Sequence, residues 1–225
     1  MSETTRGRFE AAIVAIVPFF WLAAMGYHPY IANLADPSAV AAAMSADTTR
    51  WAVAHIAVGV GSGLLLLAFL VVRSYLREAG EDRWSFRAVP FLVVGTSLFV
   101  FLPAFETAMI AASRAGADPV ALQEQLQPFF VPMMVGQALT FGIGLICLAI
   151  GVVRSRVFDG QLTWIIAGAL VVAAMSRFVP QGRALYVGAV AGVVALVPIA
   201  LQMWSSAPST KIEGSMLRPN LRDAR

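Results

Sequence analysis

The placement of charged side chains constrains this chain more than any other feature. A helix needs roughly 20 mainly apolar residues to cross about 30 Å of hydrocarbon, and walking from charge to charge leaves six intervals of about that length. They are 11–35, 51–72, 88–113, 125–153, 160–176 and 184–210, and only the third holds a charge, Glu106. Six helices are therefore expected, at about 10–28, 51–73, 88–112, 130–153, 162–179 and 184–204. Residues 1–204 read as one transmembrane domain, and 205–225, with Ser, Pro, Asn and mixed charge, as a disordered cytoplasmic tail. The fold class is an all-α, polytopic membrane helix bundle.

Composition agrees with the spacing and removes several function classes. Charged residues make up 13% of the chain, against about 25% in soluble domains. The single cysteine, Cys147, excludes an intramolecular disulfide or a zinc finger. Lys211 is the only lysine and lies near the end, so a P-loop or a lysine Schiff base has no residue to use. Nothing suggests nucleic acid as a partner.

Six crossings put both termini on one side. That side collects twelve basic residues, from Arg6 and Arg8 through Arg154 and Arg156 to the tail, and the other has four, Arg50, Arg114, Arg177 and Arg183. The positive-inside rule then makes both termini cytoplasmic, in a cell (inner) membrane. Trp164 and Trp204 on the inner side, and Tyr30, Trp51 and Tyr186 on the outer, fall where interfacial aromatic rings belong.

An internal repeat is visible. Residues 61–74 (GSGLLLLAFLVVRS) and 142–155 (GIGLICLAIGVVRS) match at 9 of 14 positions, and Ala35-Asp36-Pro37 and Ala117-Asp118-Pro119 occur in the two outer loops at nearly the same offset. Helices 1-2 and 3-4 thus read as a tandem parallel repeat of a two-helix unit, followed by a short-loop hairpin of helices 5-6. Asp followed by Pro is an N-cap with proline at the first helical position. Short outer helices are expected at Ser38–Met44 and Val120–Leu126, and close helix packing at Gly59-x-x-x-Gly63 and Gly188-x-x-x-Gly192.

Gly151-Val-Val-Arg-Ser155, a short turn to Gly160, and a fifth helix opening with Leu162-Thr-Trp164 and holding Ala167-Gly168 resemble a broad group of uncharacterised six-helix bacterial integral membrane proteins. The resemblance implies a six-helix fold and no activity.

Ionisable residues inside spans are rare and point to function. Glu106 is the only acid inside a predicted helix, about six residues or roughly 9 Å below its outer end at 1.5 Å per residue. His28, His55, Gln137, Arg177 and Tyr186 fall in the same leaflet, while the inner halves hold little beyond Gln202. This asymmetry predicts one outward-facing polar pocket centred on Glu106, with Arg177 as its charge partner, and no polar path across the membrane. The expected role is binding of a small or lipid-like ligand, or of a membrane partner protein, with no cofactor, the bilayer as surroundings and a homo-oligomer allowed.

Two alternatives keep other chemistry open. One is a membrane enzyme or redox protein with zinc on His28, His55 and Glu106 or haem b on the two histidines; the other is a small transporter subunit. An intramembrane serine protease lacks its Gly-x-Ser-x-Gly elbow, and Gly61-Ser62-Gly63 is more simply a packing feature. No catalytic set is identified.

Overall fold

A computed structural model describes residues 3–207. Seven α-helices and one 3-10 turn follow in order: α1 (Glu3–Tyr27), α2 (Pro37–Ala46), α3 (Thr48–Glu78), α4 (Arg83–Arg114), α5 (Pro119–Ser155), α6 (Gly160–Met175), the turn Ser176–Phe178, and α7 (Gly182–Ser206). Six of these are long and apolar enough to span a membrane, α6 together with its 3-10 turn, and α2 is the exception. Of the expected tail, 205 and 206 close α7 and 208–225 lie outside the described residues.

Aspartates start the helices. Asp36, Asp47, Asp118 and Asp159 each accept a hydrogen bond from a backbone N–H of the first turn, those of Ser38, Arg50, Val120 and Leu162, at 2.8–2.9 Å. Glu81 serves α4, accepting from Trp84 N and Ser85 N at 2.8 and 3.0 Å. Glycines end two helices: Gly80 after α3 and Gly116 after α4 have φ of +91° and +93°, which a side chain would strain.

Three helices, α3, α4 and α5, run beyond the charge-free intervals they contain. At 1.5 Å per residue, the 37 residues of α5 extend over about 55 Å, well beyond a hydrocarbon core. One expectation is corrected here, because Val120–Leu126 is no separate helix but the first turns of α5. Asp118-Pro119 starts it, and Pro128 and Pro132 are absorbed without a break. The matching segment after Asp36-Pro37 does form a short helix, α2.

The six long helices form a closed ring in which each packs on its chain neighbour and α7 closes on α1, while α2 lies on α5 and α3. A continuous apolar core fills the ring, with Val72, Leu145, Leu148, Leu170, Leu196 and Ile199 almost fully buried. Ile16, Val60, Leu67 and Leu201 point outward and are exposed, as lipid-facing residues are. The α4–α5 pair is the tightest. A Cβ on Gly95 would sit 2.6 Å from Phe141 N, and one on Gly144 2.8 Å from Leu92 Cγ. Gly188 is close-packed as expected, since a Cβ there would run into Ser176 Oγ, whereas a Cβ at Gly59, Gly63 or Gly192 would meet nothing within 4 Å.

At the end distal to the termini, α2 covers a second apolar cluster made by Ile31, Val40, Met44, Trp51, Met109 and Ile110. The chain leaving α1 is pinned there to the chain entering α7: Leu34 N donates to Pro180 O at 3.0 Å, and Gly182 leaves room for the Ile31 carbonyl. Those two connections close one side of the distal end.

Candidate functional site

A cavity of about 240 Å³ opens at this distal end, where α1, α3 and α4 meet α5, the 3-10 turn and the start of α7. Most of its wall is apolar, with Met25, Leu102, Pro103, Phe130, Met134 and Phe178 among the lining residues. Five polar or charged side chains interrupt that wall: His28, His55, Glu106, Gln137 and Arg177.

Three of the five touch. His55 lies one helical turn after Trp51 on α3, so its Nδ1 reaches the Trp51 carbonyl at 2.7 Å. On its other side, His55 Nε2 is 2.7 Å from Glu106 Oε2 on α4 and 3.4 Å from His28 Nε2 at the end of α1. His28 Nδ1 in turn is 2.7 Å from the Pro29 carbonyl. A carbonyl only accepts, so both Nδ1 atoms carry hydrogen. Two imidazole Nε2 atoms and one carboxylate oxygen are left converging. A single proton between His55 and Glu106 satisfies that pair and leaves His28 Nε2 with a free lone pair.

The surroundings hold the group in place. Trp51 is fully buried, and its indole N–H donates to the Glu106 carbonyl at 3.2 Å. Its ring and those of His55 and His28 stack in sequence, with centroids 4.3 Å apart for Trp51–His55 and 4.7 Å for His55–His28. The interfacial position expected for Trp51 is thus replaced by a structural one. Arg50 Nε donates to the Tyr27 carbonyl at 2.8 Å and fastens the end of α1 to the start of α3. Burial first, and then the facing His55, hold His28, one residue beyond α1, below the ordinary imidazole value of 6.5.

Arg177 stands apart from this group. It sits in the 3-10 turn that ends the α6 span, with its guanidinium carbon 5.5, 5.0 and 5.1 Å from the ring centroids of Trp21, Phe99 and Phe141. Its Nη1 is buried and has no hydrogen-bond partner, and no carboxylate among the described residues lies within ion-pair distance. The pairing of Glu106 with Arg177 expected from sequence does not occur, since Glu106 pairs with His55.

Of the six pocket candidates named from sequence, Glu106, Arg177, His28, His55 and Gln137 line the one cavity, and Tyr186 lines a small adjoining crevice with His28 and Leu185. The aromatic cage of Trp21, Phe99 and Phe141 and the buried Trp51 were not among those candidates. Trp51 carries a local signal, its spacing of four from His55; the cage residues come from three different helices and carry none. The two Nε2 atoms are 3.4 Å apart with rings tilted by 50°, closer than the about 4 Å of two nitrogens opposed across one metal at about 2.0 Å each. Compared with protein-family models, curated proteins and solved structures, the chain has no match.

Proposed function

We propose that this multi-pass membrane protein binds a small, mainly apolar ligand with an acidic head in its distal cavity, the head pairing with Arg177. Arg177 is the observation that carries the reading. An unpaired cation away from water is costly, and three aromatic faces offset part of that cost through cation–π attraction of about 0.5–2 kcal/mol each. Rings supply no acceptor for the in-plane N–H groups, and a carboxylate or phosphate does. The mainly apolar wall suits the rest of such a molecule.

Size narrows the class. A cavity of about 240 Å³ suits a short-chain acid better than a whole phospholipid. Towards the termini the ring is filled by Phe69, Leu145, Leu148 and Leu170, so the ligand is held and not passed through. The excess of basic residues at the other end supports a distal end facing away from the cytoplasm.

The test is calorimetric titration of the purified protein in detergent with octanoate and with its neutral amide. Octanoate binds more tightly, and Arg177→Gln removes that preference. Equal affinity for the two compounds in the wild-type protein overturns the reading.

A further inference from the structure

We propose that His28 and His55 bind one divalent transition-metal ion, of the zinc class, with Glu106 as third ligand and an open fourth position facing the cavity. Three lone-pair atoms converge here, His28 Nε2, His55 Nε2 and Glu106 Oε2. The hydrogen-bond partners of both Nδ1 atoms fix the tautomer that aims Nε2 inward, the arrangement in which metal-bound histidines are held by main-chain carbonyls. The spacing of the imidazoles suits the ion as well. Two nitrogens each about 2.05 Å from a tetrahedral centre lie about 3.35 Å apart, and the two Nε2 atoms are 3.4 Å apart.

Among the described residues, no group of three or more His, Cys, Asp or Glu stands in an arrangement that could hold a metal ion, so the proposal requires one ligand to move, and the carboxylate is that ligand. Glu106 Oε2 is within direct hydrogen-bond distance of His55 Nε2, at 2.7 Å, and two ligand atoms sharing one ion need about half an ångström more. Glu106 is the most exposed member of the pair, with 13% of its side chain accessible against 2% for His55, and it faces the open cavity. Its carboxylate has the freedom to open away from His55 and admit the ion. Binding then displaces the proton shared between His55 and Glu106, so the site exchanges one proton for one dication. Imidazole nitrogens with one carboxylate favour zinc, nickel or copper over magnesium or calcium.

This inference rests on the histidine geometry and not on Arg177, and its test uses no organic ligand. The full-length protein, purified in detergent and stripped with chelator, is titrated with Zn²⁺ by calorimetry and with Co²⁺ by visible absorption. One ion per chain is expected, with ligand-field bands of low-coordinate cobalt that disappear when zinc is added. His28→Gln and His55→Gln each weaken zinc at least about 100-fold, and Glu106→Gln about tenfold or more, since even second-shell partners contribute 10–100-fold. Lack of saturable zinc binding and of cobalt bands in the wild-type protein overturns the proposal without reference to any variant and leaves the cluster holding a proton only. Saturable binding that survives both histidine substitutions in folded protein also overturns it.

Discussion

Glu106 is the residue whose replacements separate partner from charge. Glu106→Leu leaves the buried His55 Nε2 without its carboxyl partner, and an orphaned buried polar group costs about 1–3 kcal/mol. Glu106→Gln keeps a carbonyl oxygen at the same place and has the smaller effect. Thermal unfolding in detergent orders the two, with the leucine variant melting lower; equal melting temperatures would show that the contact contributes nothing. Arg177→Gln removes a cation that no carboxylate offsets, so the unliganded protein loses little stability or gains some, while acid binding weakens by about 1.5–3 kcal/mol, the contribution of a charged hydrogen bond. Residue types were legible in the sequence because ionisable groups are rare inside spans. Their pairing was not: which helix face Glu106 occupies depends on the rotation of α4, and a helix apolar on every side carries no mark of its rotation. Trp51 was misjudged for a related reason, since a tryptophan near a span end is usually interfacial and only packing shows that this one is buried.

At the scale of elements, close approach and capping make opposite demands on sequence reading. Gly95→Ala places a methyl 2.6 Å from Phe141 N, so α4 and α5 must part or shift. A loss of about 1–3 kcal/mol is expected, the usual range for overpacking, seen as a lower melting temperature. Gly59→Ala is the control: its methyl meets nothing within 4 Å, and a helical glycine replaced by alanine gains up to about 1 kcal/mol in propensity. A motif of two glycines four apart does not say which face is packed, which is why Gly59 and Gly63 misled and Gly95 and Gly144, on different helices, carry the contact. Caps are local and were therefore legible, as Asp36 and Asp118 show. The Asp36 carboxylate is held below its ordinary value of 3.8, first by the Ser38 hydroxyl and then by the backbone N–H groups of Ala39 and Ser38. A depressed folded-state value means the cap's contribution is present above the unfolded value and is lost as pH falls through the folded one. The protection factor of the α2 amides, their exchange measured against the unstructured chain at the same pH, is thus unchanged from neutral pH down to about 4 and falls below that, whereas in Asp36→Ala it is low throughout; equal protection in the two proteins would contradict the cap.

For the whole molecule, six crossings were legible because hydrocarbon thickness sets a length that charges interrupt. The ring was not, since closure of α7 on α1 joins the two ends of the chain. The proposed orientation has its own check: with Cys147 buried, Ser38→Cys should react with a membrane-impermeant maleimide in intact cells and Glu78→Cys only after permeabilisation, and the reverse pattern would invert the topology. The central claim is that an uncompensated cation, half-buried at the cavity wall with its Nη1 cut off from any partner, defines the ligand. The most direct measurement is the ratio of octanoate to octanamide affinity in wild-type and Arg177→Gln protein. The account predicts a ratio of at least about tenfold, in line with a charged hydrogen bond, that falls to about one in the variant. A ratio near one in both proteins, or a preference that survives the substitution, would contradict it.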